Sequence, residues 1–287
     1  MAKDTFLNRK TTVNIKGKLL DLSSPSVMGI LNLTDDSFYS ASRVGSIDGA
    51  LRTVEKFLTE GARFIDVGAY SSRPGAADVS QEQEIQRLLP VIEAIKKSFP
   101  QALLSVDTFR AKVAEGAIQS GADIINDIAG GEMDDAMFDT VARLKVPYIM
   151  MHMKGIPKTM QQHAHYENIV LEIVDYFSAK VTKLRELGVK DIILDPGFGF
   201  AKTIEHNYQL MDKLEDLQVF ELPLLIGISR KSMIYKLLGT TPSDSLNGTT
   251  ILNTIALLKG ANILRVHDVK EAAECVMLIE KLQQQHN

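Results

Sequence analysis

Asp107, Asn126 and Asp195 each stand at the end of a short apolar run, and so, or shortly beyond one, do the cationic donors Arg73, Lys231, Arg265 and His267. Carboxylates accept hydrogen bonds from N–H groups, and an amide both accepts and donates. The first three residues therefore suit a flat heterocycle with an amino-amidine edge. The four donors suit a phosphate or diphosphate. A base at one end and an anion at the other describes a single ligand. For any one aspartate the alternative is an N-cap of the following helix, but the whole set exceeds what capping requires. Asn32 belongs with them: it follows the run VMGIL (27–31) and is itself followed by Thr34, Asp35, Asp36 and Ser37.

The elements that would position these groups repeat eight times. Apolar runs lie at 27–31, 63–68, 102–106, 123–127, 146–151, 191–195, 222–228 and 262–266. Short, continuous runs rich in Val, Ile and Leu read as strands buried on both faces, as in a parallel sheet. Segments of helical period separate them, at 47–60, 81–98, 110–120, 134–145, 166–187, 205–217, 244–259 and 269–284. Eight strand–helix units predict an α/β fold, a (β/α)8 TIM barrel whose active face is built from the C-terminal strand ends. Residues 12–23 predict a hairpin turning near Lys16-Gly17 and capping the barrel bottom. No linker divides the chain, so residues 1–287 read as one domain, with the barrel over 27–284.

Composition narrows the partners. Apolar residues are 45% of the 287 and charged residues 24%, with a formal net charge of −4. That balance offers no electrostatic reason to expect nucleic acid or an anionic membrane. Cys275 is the sole cysteine, which excludes an intrachain disulfide. No signal peptide or membrane-length apolar run is present, so a cytoplasmic location is expected. GFGF (197–200) reads as a tight turn beside a ligand, HAH (163–165) as a solvated helix start with a metal pair as the alternative, and His152 as a rim packing residue with a ligand contact as the alternative. Cys275 reads as a helix residue without a catalytic partner. Ser232, in SRKSM (229–233), falls at a helix start, where free backbone N–H groups favour an anion.

Seven motifs in order resemble the dihydropteroate synthases, a family of pterin-binding enzymes. They are MGILNLTDDSF (28–38), DVGAYSSRPGA (66–76), SVDTF…GADIINDIAGG (105–131), MHMKGIPKTMQ (151–161), ILDPGFGFAKT (193–203), GISRKSMI (227–234) and RVHDV (265–269). The resemblance implies condensation of hydroxymethyl dihydropterin diphosphate with para-aminobenzoate, giving dihydropteroate and diphosphate. It implies that Asp107, Asn126, Asp195 and Lys231 grip the pterin. Asn32 would join Arg73, Arg265 and His267 at a Mg2+–diphosphate site, with Asn32 as metal ligand. Phe38, Ser72, Pro74, Phe200 and Ser232 would surround the aminobenzoate. A homodimer through the later helices is implied as well. The chain departs from the family pattern at Asp35, Tyr70 and Ser72, all in the first two loops. The rival readings are a methyltetrahydrofolate-dependent methyltransferase, a lysine-dependent aldolase and a non-catalytic pterin-binding paralogue. SRKSM, SSRPG and Arg265/His267 speak against the methyltransferase, which handles no diphosphate. Lys231, starting a helix, speaks against the aldolase.

Overall fold

Strand alternation builds this molecule, a computed structural model that describes residues 11–33, 43–70 and 79–284. The first pair is an antiparallel hairpin, β1 (Thr12–Ile15) and β2 (Lys18–Asp21), joined through Lys16 (φ 50) and Gly17 (φ 84). Two successive left-handed residues twist the turn in the sense the strands require. Eight parallel strands follow: β3 (Ser26–Asn32), β4 (Phe64–Gly68), β5 (Leu103–Asp107), β6 (Ile124–Asp127), β7 (Tyr148–Met151), β8 (Ile192–Asp195), β9 (Leu225–Ile226) and β10 (Ile263–Val266). Each pairs with its sequence neighbour from β3 to β8, β10 pairs with both β3 and β9, and a bridge from Leu194 to Leu224 closes the ring.

Helices wrap the ring: α1 (Arg43–Thr59), α2 (Gln81–Ser98), α3 (Ala111–Gln119), α4 (Met137–Leu144), α5 (Ile169–Glu186), α6 (Ile204–Asp212), α7 (Ser232–Tyr235), α8 (Leu246–Leu258) and α9 (Val269–Gln283). Their starts follow the sequence. Ser80 and Gln83 form a capping box for α2, and the Asn168 side chain accepts from Val170 and Leu171 N–H at the head of α5.

Because side chains alternate along a strand, each strand feeds two cores. Val27, Ile65, Val67, Leu104, Val106, Ile125, Met150, Ile192, Leu194 and Leu264 face outward and pack in the layer beneath the helices. Met28, Phe64, Ile124, Ile149, Ile193, Leu225 and Ile263 face inward, and the hairpin's Val13 and Ile15 join them with Leu22 in one apolar cluster. The hairpin thus plugs the barrel bottom, as its sequence predicts. Lys16 Nζ ties it to Asp123 Oδ1 at 2.6 Å, and Arg63 Nη1 donates to Asp21 O at 2.7 Å.

Two predicted elements are shorter than their patterns. The run 222–228 gives strand only at Leu225–Ile226: Pro223 has no N–H to donate, and the chain turns out at Ile228, whose carbonyl accepts from Lys231 N. The helix expected over 205–217 stops at Asp212 and continues as a 3-10 turn from Leu214 to Phe220, after Lys213 departs from helical φ at −109°.

Candidate active site

The inward parity that makes the apolar plug continues upward as a polar interior. Two residues above Phe64 comes Asp66, and two above that Gly68; on β5 the same step runs Leu103, Ser105, Asp107. On β6 it runs Ile124 to Asn126, on β8 Ile193 to Asp195, on β10 Ile263 to Arg265 and then His267. Asp127, one residue out of step, faces the other way and accepts from Tyr148 Oη at 2.7 Å and from Ala129 and Gly131 N–H at 2.8 Å each. The adjacent Asn126 and Asp127 thus part into one pocket residue and one loop-building residue by parity alone.

Arg265 is the hub. Its Nε donates to Asp66 Oδ2 at 2.6 Å and its Nη2 to Asp107 Oδ2 at 2.6 Å. Asn126 Nδ2 donates to the same Asp66 oxygen at 3.0 Å. Burial pulls the guanidinium down, yet Asp66 and Asp107 outweigh it and hold its pKa above the usual value. Burial pushes Asp107 up to about 7, against the pull of Arg265. Asp195, buried, is also raised by desolvation, with Lys231 opposing and with Gly197 N donating to its Oδ1 at 2.7 Å. Lys231 is lowered by burial to about 8, with Asp195 opposing. Its Nζ donates to Phe198 O at 2.5 Å and stands 4.7 Å from the centre of the Phe200 ring, a cation–π contact.

The loop after β8 holds this arrangement. Gly197 (φ 71) and Gly199 (φ 80) adopt the left-handed backbone, and a Cβ on Gly197 would lie 2.0 Å from the His152 carbonyl oxygen. GFGF is therefore the tight turn that its glycines predict. Behind it Lys202 is buried, with Nζ 3.0 Å from His152 Nδ1, 2.9 Å from Gly197 O and 3.1 Å from Phe200 O. Burial holds the Lys202 amine well below its usual pKa and lowers His152 to about 2, so the imidazole is neutral and shares one hydrogen bond with Lys202. The His152 ring packs edge-on against Tyr176 at 4.8 Å, which makes it the rim packing residue expected.

The SRK turn is fixed from a different side. Arg230 adopts φ 57, and its guanidinium donates to both carboxylate oxygens of Asp268, at 2.8 and 2.7 Å. Arg230 thus serves the turn, which sets Lys231 at the cap of α7 and Ser232 at its first residue. Ser229 Oγ lies 3.1 Å from His267 Nδ1, joining the ends of β9 and β10. Asn32 closes β3 beside Gly68. The structure therefore brings Asn32, Asp107, Asn126, Asp195, Phe200, Lys231, Ser232, Arg265 and His267 to one end of the barrel. Phe38, Ser72, Arg73 and Pro74 lie outside the described residues.

Elsewhere the pattern needs one correction. HAH does not open a helix: His163 ends a 3-10 turn, Met160–His163, and α5 begins only at Ile169 behind the Asn168 cap. A surface cleft of about 610 Å3, lined among others by His165, Tyr166, Glu172 and His206, shares none of the barrel-end residues. Cys275 is a buried residue of α9, with Thr254 Oγ1 3.7 Å from its sulfur. Among the described residues no group of three or more His, Cys, Asp or Glu side chains is placed to hold a metal, and no helix is long and apolar enough to cross a membrane.

Two residues at the heart of the site escape the strand-end pattern. Asp66 lies inside the run RFIDVG, where counting parity from Phe64 to Gly68 turns it inward. Lys202 has no such signal, since a lysine beyond a loop is by default a surface residue.

A family model described as pterin binding enzyme matches residues 28–267. The dihydropteroate synthase of Escherichia coli strain K12 is 43% identical over 267 residues, covering 92% of this chain and 94% of that protein. The Yersinia pestis dihydropteroate synthase in a sulfonamide drug complex superposes with a TM-score of 0.89 at 41% identity, over 95% of this chain and 99% of that one. The Xanthomonas albilineans dihydropteroate synthase with 4-aminobenzoic acid gives a TM-score of 0.87 at 34% identity, over 95% and 98% of the two chains. With the family model running from within β3 to the residue after β10, the chain belongs to the pterin-binding enzyme family.

Proposed function

We propose that this chain condenses 6-hydroxymethyl-7,8-dihydropterin diphosphate with para-aminobenzoate, releasing dihydropteroate and diphosphate for folate synthesis. The carrying observation is the interior constellation of two raised carboxylates, Asp107 and Asp195, with an amide, Asn126, and a cation, Lys231, at the mouth of a barrel of this family. Relatives at this identity carry the dihydropteroate synthase name, and one solved neighbour binds 4-aminobenzoic acid.

In this reading Asp107, Asn126 and Asp195 accept from the pterin N–H groups and Lys231 donates to its acceptors. The carbon–oxygen bond to diphosphate breaks first and the departing oxygen keeps the electron pair. The carbocation left behind is delocalised into the pterin, where Asp107 and Asp195 offset its charge. Arg265 and His267, with Arg73 from the second loop, receive the diphosphate. Phe38, Ser72, Pro74, Phe200 and Ser232 surround the arylamine, whose nitrogen attacks the methylene carbon and then sheds its proton. Lys231 acts as a donor and forms no covalent intermediate.

Asn32 is the residue that would hold Mg2+. Its amide oxygen is a hard donor of the kind Mg2+ takes, and one protein ligand would suffice for an ion bound together with substrate phosphates. When bound, Mg2+ supplies charge neutralisation at the leaving diphosphate.

The protein is proposed to work as a homodimer. Ile251 and Leu258 on α8 and Met277, Leu278 and Leu282 on α9 are exposed apolar residues on two helices that pack together. Sedimentation of the wild type against Leu278→Asp tests this, with a shift to monomer expected.

The deciding experiment is dihydropteroate formation from the two substrates with and without Mg2+. Metal-dependent product is expected. Tight binding of pterin diphosphate without turnover would assign a non-catalytic paralogue instead, and corrinoid-dependent methyl transfer would assign the methyltransferase.

A further inference from the structure

Asp66 is fully buried at the centre of the barrel, between the apolar plug and the site above it. A carboxylate there is expensive, and replacing such a group with apolar volume is often neutral or stabilising. Its partners are therefore informative. Oδ2 accepts from Asn126 Nδ2 on β6 and from Arg265 Nε on β10, both residues of the proposed substrate floor. Oδ1 has no hydrogen-bond partner, and neither does the buried hydroxyl of Ser105, which sits opposite Asp66 in the β4–β5 register. Side chains opposite one another on adjacent strands share a face, so both orphaned groups look into the same interior layer.

We propose that Asp66 is a positioning residue beneath the substrate site: it locks the guanidinium of Arg265, which receives the diphosphate, and dictates which way the amide of Asn126, which grips the pterin, faces. Asn126 gives one amide hydrogen to Asp66, so its oxygen and its second hydrogen are presented to the pocket. An aspartate enforces this because a carboxylate only accepts; a neutral amide at position 66 could either accept or donate and would leave Asn126 free to flip. Arg265 is held from beneath by Asp66 and from the side by Asp107, which fixes the guanidinium plane before substrate arrives. Asp66 Oδ1 and Ser105 Oγ stay without partners in this layer although a buried unmade acceptor costs about 1–3 kcal/mol, so the carboxylate is kept for what its other oxygen holds.

This inference rests on the pterin-binding reading, and the test separates the two. The probes are 6-hydroxymethyl-7,8-dihydropterin and its diphosphate, titrated calorimetrically into the wild type, Asp66→Asn and Ser105→Ala. Binding of neither probe by the wild type would overturn the functional reading itself. With wild-type binding established, Asp66→Asn is expected to weaken both pterins by about tenfold to a hundredfold, the range for disturbing one hydrogen-bond network. The KM for para-aminobenzoate should stay unchanged, and Ser105→Ala should weaken both pterins by less than about threefold. The acid limb of kcat/KM should also move to lower pH in Asp66→Asn. Asp107 feels the charge of Arg265, which lowers it, and of the carboxylates Asp66, Glu84 and Asp127, which raise it, and losing the Asp66 carboxylate lets Arg265 pull Asp107 down. A merely structural Asp66 would lower thermal stability while leaving pterin affinity and that limb where they were, and this result would overturn the proposal. Should Asp66→Asn not fold, Asp66→Ser, which leaves room for water, reads out the same quantities.

Discussion

The barrel interior has two floors built from the same strands. On the lower one Phe64, Ile124, Ile193 and Ile263 close against the hairpin with no polar side chain among them. Two residues higher the same strands present Asp66, Asn126, Asp195 and Arg265. Backbone and parity are identical, and only residue choice differs. The lower floor gains from removing apolar surface from water, about 25 cal/mol per Å2. The upper floor bears the cost of buried charge and offsets part of it through shared ion pairs, with Arg265 between Asp66 and Asp107. A barrel thus keeps its stability at the N-terminal end of its strands and its chemistry at the other.

Substitutions on the two floors should fail in opposite ways. Asp195→Ala is expected to have the largest effect on activity: kcat/KM falls by about a thousandfold, or about 4 kcal/mol, while stability falls by only about 1–3 kcal/mol for the stranded Gly197 N–H. Steady-state kinetics beside a melting curve checks this, and a large drop in melting temperature with normal kinetics would erase the distinction. Phe64→Ala is the converse. It opens a cavity in the plug and should cost about 3–5 kcal/mol of stability by urea denaturation, with KM values of the folded enzyme unchanged.

The lower floor was legible in the sequence and the upper one partly so. Runs such as DIILD (191–195) and NILRV (262–266) announce buried parallel strands, and Lys16-Gly17 announces the hairpin turn. The strand-end rule brings Asp107, Asn126, Asp195, Lys231 and Arg265 to one place because a (β/α)8 ring leaves no other end for them. It does not reach Asp66, which lies inside a strand, nor Lys202, whose burial depends on His152 and two carbonyls from distant or locally folded chain. Pairings of this kind follow from three-dimensional closure, which local pattern does not encode. Arg265 shows the same limit: position puts it at the site, but only the structure shows it neutralising two carboxylates.

A smaller effect sharpens the contrast through pH. Asp107, raised to about 7, must be ionised to accept from substrate, so kcat/KM should fall as pH drops through that value. Lys231, lowered to about 8, must be protonated to donate, so kcat/KM should fall again as pH rises through it. The expected profile is a narrow bell, changing about tenfold per pH unit on each limb. Phe64→Ala should leave both limbs in place, because the apolar floor contributes no titrating group to them; displaced limbs would mean that the two floors are coupled.

The smallest effect belongs to the plug's rim. Lys16 reaches Asp123 Oδ1 at 2.6 Å, but its side chain is 54% exposed while that of Asp123 is 2% exposed. Asp123 has other support, from Lys96 Nζ at 3.2 Å and from Leu104 N–H at 2.9 Å. Removing Lys16 therefore strands no buried charge, and an exposed lysine contributes little once salt and side-chain entropy are counted. Lys16→Ala should cost less than about 1 kcal/mol in urea with an unchanged m-value. Asp123→Ala should cost more, because it leaves the buried Leu104 N–H without its acceptor, while Lys96 keeps only the Ala102 carbonyl at 2.8 Å. A lower m-value for Lys16→Ala would show the hairpin undocking ahead of the barrel, placing the hold of the plug in this ion pair instead of in Val13, Ile15 and Leu22.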